Sequence, residues 1–179
     1  MPIPLEDVHD RARRLRLLLL DVDGVLTDGT VNILSTGGES KGFHIRDGAA
    51  IVWAERQGLE IGLLSGRYSE ATTRRAAELK LKIVSQAGPD KRQAYADIVH
   101  AGGYADDEVA YMGDDILDLP ILLRAGLSTA PADAAPEVRD SVHWVSRFGG
   151  GRGAVRELLE VILQAQGKWD GILEGFRRT

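Results

Sequence analysis

Apolar positions along this chain come in continuous blocks separated by stretches with helical spacing. The first block, "LLLL" at 17–20, follows Leu5, Val8, Ala12 and Leu15, which recur at helical intervals. This predicts a short amphipathic helix leading into a buried strand over 16–21. Further apolar blocks at 59–65, 81–85, 109–113, 126–130 and 142–145 read as strands. Between them, helical periodicity near 47–57, 69–80, 90–101, 115–125 and 154–166 predicts helices. Continuous apolar strands alternating with helices indicate an α/β fold: a Rossmann-like parallel sheet with helices on both faces.

One segment breaks the alternation. "TVNILSTGGESKGFHI" at 30–45 reads as strand, Ser/Thr/Gly turn and strand, a small β-hairpin inserted after the first strand. Its apolar residues are too few to form a cap domain. "FGGGRG" at 148–153 reads as a loop before the last helix, and 167–179 as a mobile tail. No repeat or linker divides the 179 residues, so a single domain over 1–179 is expected.

Composition then narrows the chemistry. There is no cysteine, which removes thiol nucleophiles, thiolate metal sites and disulfides together. A net charge of -5 argues against nucleic-acid binding, which needs clustered cations. The first fifteen residues carry acidic groups without the apolar stretch of a signal peptide, and 17–20 is far too short to cross a bilayer. A cytoplasmic protein that engages neither membrane nor nucleic acid is therefore expected. A small anionic substrate remains open wherever cations are focused.

In open parallel sheets, ligands bind beyond the carboxyl ends of the strands. The polar residues at those ends are Asp21 and Asp23, Ser65, and Asp114 with Asp115, while Lys91 can open the helix after the third strand. Residues i and i+2 of an extended segment share a face, so Asp21 and Asp23 can point into one crevice. With Asp114 they form three carboxylates that repel unless a cation compensates. Mg2+ suits such oxygen donors. One carboxylate can attack phosphorus to give an aspartyl-phosphate, and the other can protonate the leaving oxygen and then activate water. Lys91 and Ser65 can hold the phosphoryl oxygens.

The segments "DVDGVLT", "LLSGR", "GPDKRQAY" and "GDDILD" occur in that order and resemble the four motifs of haloacid dehalogenase superfamily phosphatases. The resemblance implies Asp21 as nucleophile, Asp23 as general acid/base, and Ser65 and Lys91 as phosphoryl ligands. It also implies a Mg2+ ion held by Asp21, Asp114 and the backbone carbonyl of Asp23, with Asp115 and Asp118 orienting Lys91 or metal-bound water. More narrowly, "FHIRDG", "SGRYSEATTRRAAEL" and "GGRGAVRELLEVILQAQGKWD" are similar to the 3-deoxy-D-manno-octulosonate 8-phosphate phosphatases. Members are cap-less tetramers that hydrolyse a phosphorylated eight-carbon sugar acid in lipopolysaccharide synthesis.

That narrower resemblance implies substrate contacts from Asp23, His44, Ile45, Arg46, Asp47, Gly48, Ser65, Gly66, Arg67, Arg75 and Lys91, and a homotetramer. Val52 departs from the family pattern, which leaves another sugar-acid phosphate, such as a nine-carbon nonulosonate 9-phosphate, as the alternative substrate. A phospho-aspartate signalling switch is an alternative of another class. In receiver-type switches, however, the acceptor aspartate sits on a different strand from the acidic pair. Among the remaining residues, Arg74 and Glu78 are expected to pair across one helical turn, and Trp53, Trp144, His100 and His143 to serve packing or surface.

Overall fold

A computed structural model describes residues 2–86, 88 and 90–178. In chain order the elements are α1 (Leu5–Ala12), β1 (Leu17–Leu20), β2 (Asn32–Ile33), β3 (Glu39–Ser40), α2 (Ile45–Arg56), β4 (Glu60–Ser65), α3 (Glu70–Glu78) and β5 (Ile83–Gln86). There follow α4 (Lys91–Gly102), β6 (Val109–Met112), α5 (Leu119–Leu122), β7 (Leu127–Ala130), α6 (Pro136–Ser141), β8 (Trp144–Val145), α7 (Ala154–Ala165) and α8 (Trp169–Arg177).

The four leucines of β1 are fully buried because the strand is central and covered on both faces. Leu18 and Leu20 join the layer of Ile51, Leu63, Met112 and Leu158. Leu17 and Leu19 face the opposite layer, with Leu64, Tyr95, Tyr111 and Ile121. Each buried leucine contributes about 1.5–3 kcal/mol relative to an exposed one, so β1 is anchored far more firmly than its length suggests.

The parallel strands run in the order β5-β4-β1-β6-β7-β8, with Leu18 opposite both Ile61 and Ala110. The chain builds outward from β1 to one side through β4 and β5, then returns to the other side through β6, β7 and β8. This reversal beside β1 opens a crevice at the strand carboxyl ends. Helices are placed there by local chemistry. Ser69 accepts the Thr72 N–H at the start of α3, and Asp90 accepts the Arg92 N–H at the start of α4.

Four expectations need correction. The hairpin does not extend to residue 45: its strands are only Asn32–Ile33 and Glu39–Ser40. Phe43 turns into the core layer, and the His44 carbonyl already accepts the Gly48 N–H at 3.2 Å, so Ile45 begins α2. Residues 167–178 are not a free tail, Thr179 lying outside the described residues. After Gly167 the chain forms α8, whose Trp169 and Phe176 rings pack against Trp53 at centroid distances of 6.2 and 5.4 Å. The helix expected over 115–125 is a 3-10 turn at Ile116–Asp118 followed by the single-turn α5, and α6 was not expected, its six residues being too short to show a period. Finally, Arg74 pairs with Glu70 at 3.0 Å, whereas Glu78 pairs with Arg75 at 2.8 Å. No helix among the described residues is long and apolar enough to cross a membrane.

Candidate active site

Asp21 continues the ladder one residue past β1, its N–H donating to the Met112 carbonyl at 3.0 Å. This fixes its side chain over the crevice. The chain then turns tightly, with the Val22 carbonyl accepting the N–H groups of Leu26 and Thr27 at 3.0 and 3.1 Å. Gly24 lies in that turn at φ +87°, and a Cβ there would fall 2.0 Å from Asp114 Oδ2. Glycine is thus required both by the backbone and by the approach of Asp114. The Gly-rich loop before α7 presses on the same turn, the Gly151 N–H donating to the Val25 carbonyl at 2.9 Å.

Lys91 is almost wholly buried and joins two carboxylates, lying 2.9 Å from Asp21 Oδ1 and 2.7 Å from Asp118 Oδ1. Asp118 is held from every side. Its Oδ1 also accepts the Tyr111 hydroxyl at 2.6 Å, and its Oδ2 accepts the N–H groups of Asp114 and Asp115 at 3.1 and 3.3 Å. Single carboxylate oxygens of Asp21, Asp114 and Asp118 all lie within 4.8 Å of one another. Asp114 Oδ1 is buried and accepts no hydrogen bond among the described residues.

The electrostatics follow from burial and crowding. Burial, with the charge of Asp118 next, pushes Asp21 up to about 6. Burial and then the charges of Asp21 and Asp118 push Asp114 up to about 8. For Lys91, burial works against the charge, but Asp21 and Asp118 outweigh it and hold the ammonium above its usual range. The cluster therefore has a deficit of positive charge at one edge, beside Asp114, where the Lys91 charge acts but is outweighed because its ion pairs are made to Asp21 and Asp118.

A cavity of about 320 Å³ opens over this cluster and brings together Asp21, Asp23, Ser65, Gly66, Arg67, Lys91 and Asp114. The Ser65 hydroxyl donates to the Arg67 carbonyl at 3.1 Å at its floor. Asp23 stands at the side, its carboxylate outside the three-carboxylate group. Lys41 donates to its Oδ1 at 2.5 Å and Arg67 Nε to its Oδ2 at 2.9 Å, while Arg67 also donates to Glu39 at 2.7 Å. Arg67 is therefore an already paired cation.

The other expected substrate contacts do not reach this cavity within one chain. His44 and Arg46 line a separate basic cleft of about 420 Å³ with Arg147, Arg152 and Arg156. Ile45 is exposed. Asp47 is buried and accepts the Arg156 N–H at 2.7 Å, and burial raises its proton affinity. Gly48 backs onto Arg75, whose guanidinium lies over the Phe43 ring at 5.7 Å. Lys41, Glu39 and Tyr111 were not foreseen. Tyr111 could have been, because its position in β6 places it on the face that Lys91 covers.

A family description of haloacid dehalogenase-like hydrolases matches residues 66–156. The 3-deoxy-D-manno-octulosonate 8-phosphate phosphatase of Escherichia coli K12 is 41% identical over 164 residues, covering 92% of this chain and 87% of that one. A crystal structure of the phosphatase of the same name from Yersinia pestis superposes with a TM-score of 0.91 at 39% identity, over 93% of this chain and 90% of the other. The one from Moraxella catarrhalis, in complex with magnesium, phosphate and a KDO molecule, gives 0.94 at 31% identity, over 97% and 99%.

Proposed function

The chain belongs to the haloacid dehalogenase-like hydrolases, in the family of 3-deoxy-D-manno-octulosonate 8-phosphate phosphatases, and on that premise we propose that it releases phosphate from this sugar acid through an aspartyl-phosphate. The observation that carries the mechanism is the pairing of buried Lys91 with Asp21 at 2.9 Å in a cavity that also holds Asp23. Asp21 attacks phosphorus as the bond to the sugar oxygen breaks, and Asp23 gives that oxygen its proton. Asp23 then takes a proton from water, which attacks phosphorus and frees Asp21 and inorganic phosphate. Lys91 offsets charge on the nucleophile and phosphoryl group, and Ser65 holds a phosphoryl oxygen.

The residues fit a hard divalent cation, since every donor is an oxygen and Asp114 Oδ1 is buried without a hydrogen-bond partner among the described residues. Asp21, Asp114 and the Asp23 backbone carbonyl would hold Mg2+, with Asp118 fixed behind them by Lys91 and Tyr111. When bound, Mg2+ supplies charge neutralisation for nucleophile and phosphoryl group.

The reading extends to a cytoplasmic homotetramer acting in lipopolysaccharide synthesis. Its support is the family membership, together with the position of His44 to Gly48 and Arg75 away from the catalytic cavity of their own chain. Sites partly closed by neighbouring copies account for that position. The decisive assay is phosphate release with Mg2+. We expect 3-deoxy-D-manno-octulosonate 8-phosphate to exceed glucose 6-phosphate by at least ~100-fold in kcat/KM, the effect of one or two charge-assisted contacts to the carboxylate that the hexose lacks. Preference for a nine-carbon nonulosonate 9-phosphate would assign the alternative substrate, with Val52 as its signature. A stable phosphoprotein without turnover would assign the signalling switch.

A further inference from the structure

The short hairpin has a second product besides its apolar edge. Immediately after β3, Lys41 turns back under the hairpin, and its side chain is fully shielded from solvent. A buried ammonium is costly unless paired and hydrogen-bonded, and Lys41 lies 2.5 Å from Asp23 Oδ1 and 3.9 Å from Glu39 Oε1. Arg67 completes the circuit at 2.9 Å from Asp23 Oδ2 and 2.7 Å from Glu39 Oε2. Two cations and two carboxylates alternate around a closed ring.

The two cations on Asp23 differ in what they can do next. Arg67 is half-exposed at the cavity mouth, whereas Lys41 is enclosed. Arg67 can swing to an arriving anion and free Oδ2, whereas Lys41 stays confined between Asp23 and Glu39. A general acid must present one oxygen to the leaving group in a fixed direction, and a carboxylate tethered through its other oxygen does so without losing rotational freedom at the transition state.

We propose that Lys41 is a positioning residue: it holds Asp23 through Oδ1 so that Oδ2 faces the leaving oxygen, and the hairpin serves to deliver it. The proposal rests on the phosphatase reading for the role of Asp23, and it adds a residue that touches Asp23 and not the reacting atoms. Glu39 serves the same end by accepting a hydrogen bond from Arg67 and placing a second negative charge 3.9 Å from Lys41.

The test compares two leaving groups in Lys41→Met. A sugar alkoxide needs its proton as it leaves, but p-nitrophenolate does not, and kcat/KM reports only the steps up to phosphoenzyme formation. Lys41→Met is expected to lower kcat/KM on the sugar acid phosphate by ~100-fold, the low end of what general acid catalysis contributes. The loss on p-nitrophenyl phosphate is expected to be at least tenfold smaller, and the loss on the sugar substrate should fall on kcat more than on KM. Equal losses on both substrates, or none, would overturn the proposal. If Lys41→Met fails to fold by circular dichroism, Lys41→Gln, which keeps a donor but no charge, carries the same comparison. Failure of the substrate reading looks different. Wild type would then ignore the octulosonate ester, while the leaving-group comparison could still be made with glucose 6-phosphate against p-nitrophenyl phosphate.

Discussion

Asp114 forms no ion pair among the described residues, and the charge of Lys91 does not offset its burial and crowding, so its elevation to about 8 has a thermodynamic consequence. A carboxyl whose folded value exceeds its unfolded value of about 3.8 stabilises the fold while protonated, and that stability is lost as pH rises through the folded value. For Asp21 the loss is largely complete near pH 6, and for Asp114 near pH 8. His143, lowered by burial, acts in the opposite direction but only below its usual range near 6.5. In EDTA, the melting temperature is therefore expected to fall between pH 6.5 and 8, and added Mg2+ to reverse the fall at pH 8. A flat profile, or turnover that survives EDTA, would remove the metal from this cluster. Asp21→Asn relieves the same crowding while deleting the nucleophile. We expect phosphate release to vanish and the metal-free melting temperature to hold or rise; activity after excluding deamidation would falsify the covalent mechanism. These residues were legible in the sequence because i and i+2 at a strand end share a face. Lys41 was not, because its path to Asp23 depends on where the hairpin stops.

At the scale of elements, the crevice depends on two loops pressed together. A methyl at Gly150 would lie 1.8 Å from the Gly24 carbonyl oxygen and 2.8 Å from that of Thr27, both backbone atoms that cannot rotate aside. Gly150→Ala must shift the turn that carries Asp23, so we expect kcat/KM to fall at least ~10-fold, a displacement near 1 Å costing about 100-fold. Gly171→Ala, in α8 with no heavy atom within 4 Å of the added methyl, serves as the contrast. It should raise stability by about 0.5–1 kcal/mol and leave turnover unchanged. Assays and melting curves on both variants separate a loop collision from a general effect of replacing glycine. The same elements explain what periodicity could reveal. β1 is legible because burial on both faces requires an unbroken apolar run. α8 was missed because Gly171 and Gly175 dilute its helical signal, and its docking on Trp53 is a long-range contact that no local pattern records. Phe43 likewise ends the hairpin by packing into the core, a tertiary choice that alternation along 30–45 cannot foretell.

At the scale of the molecule, the hairpin is incomplete on its own. Two strands of two residues each make a marginal unit in water, and unpaired strand edges invite another chain. Ile33 is 84% exposed, with Leu34 at 46% and Val31 at 40%, so its apolar side chains do not fold back onto this chain's core. Lys41 and Glu39, in contrast, are turned inward to the Asp23 ring. One hairpin thus has a polar side turned to the catalytic cavity and an apolar side that stays exposed among the described residues. A second copy would satisfy the apolar side and, in doing so, would hold the polar side in place. We therefore expect a homo-oligomer, a tetramer in the proposed reading, by light scattering at assay concentration. Ile33→Lys should shift the population toward smaller species. If the hairpin aligns Asp23 as inferred, the same variant should lose more activity on the sugar acid phosphate than on p-nitrophenyl phosphate, and its specific activity should recover at higher protein concentration as subunits reassociate. A wild-type monomer with full activity would sink the oligomer and leave Val31, Ile33 and Leu34 without a role in catalysis. A dissociated Ile33→Lys protein with undiminished activity on both esters would show that Lys41 keeps its place without a neighbour, so that the hairpin's two faces work independently.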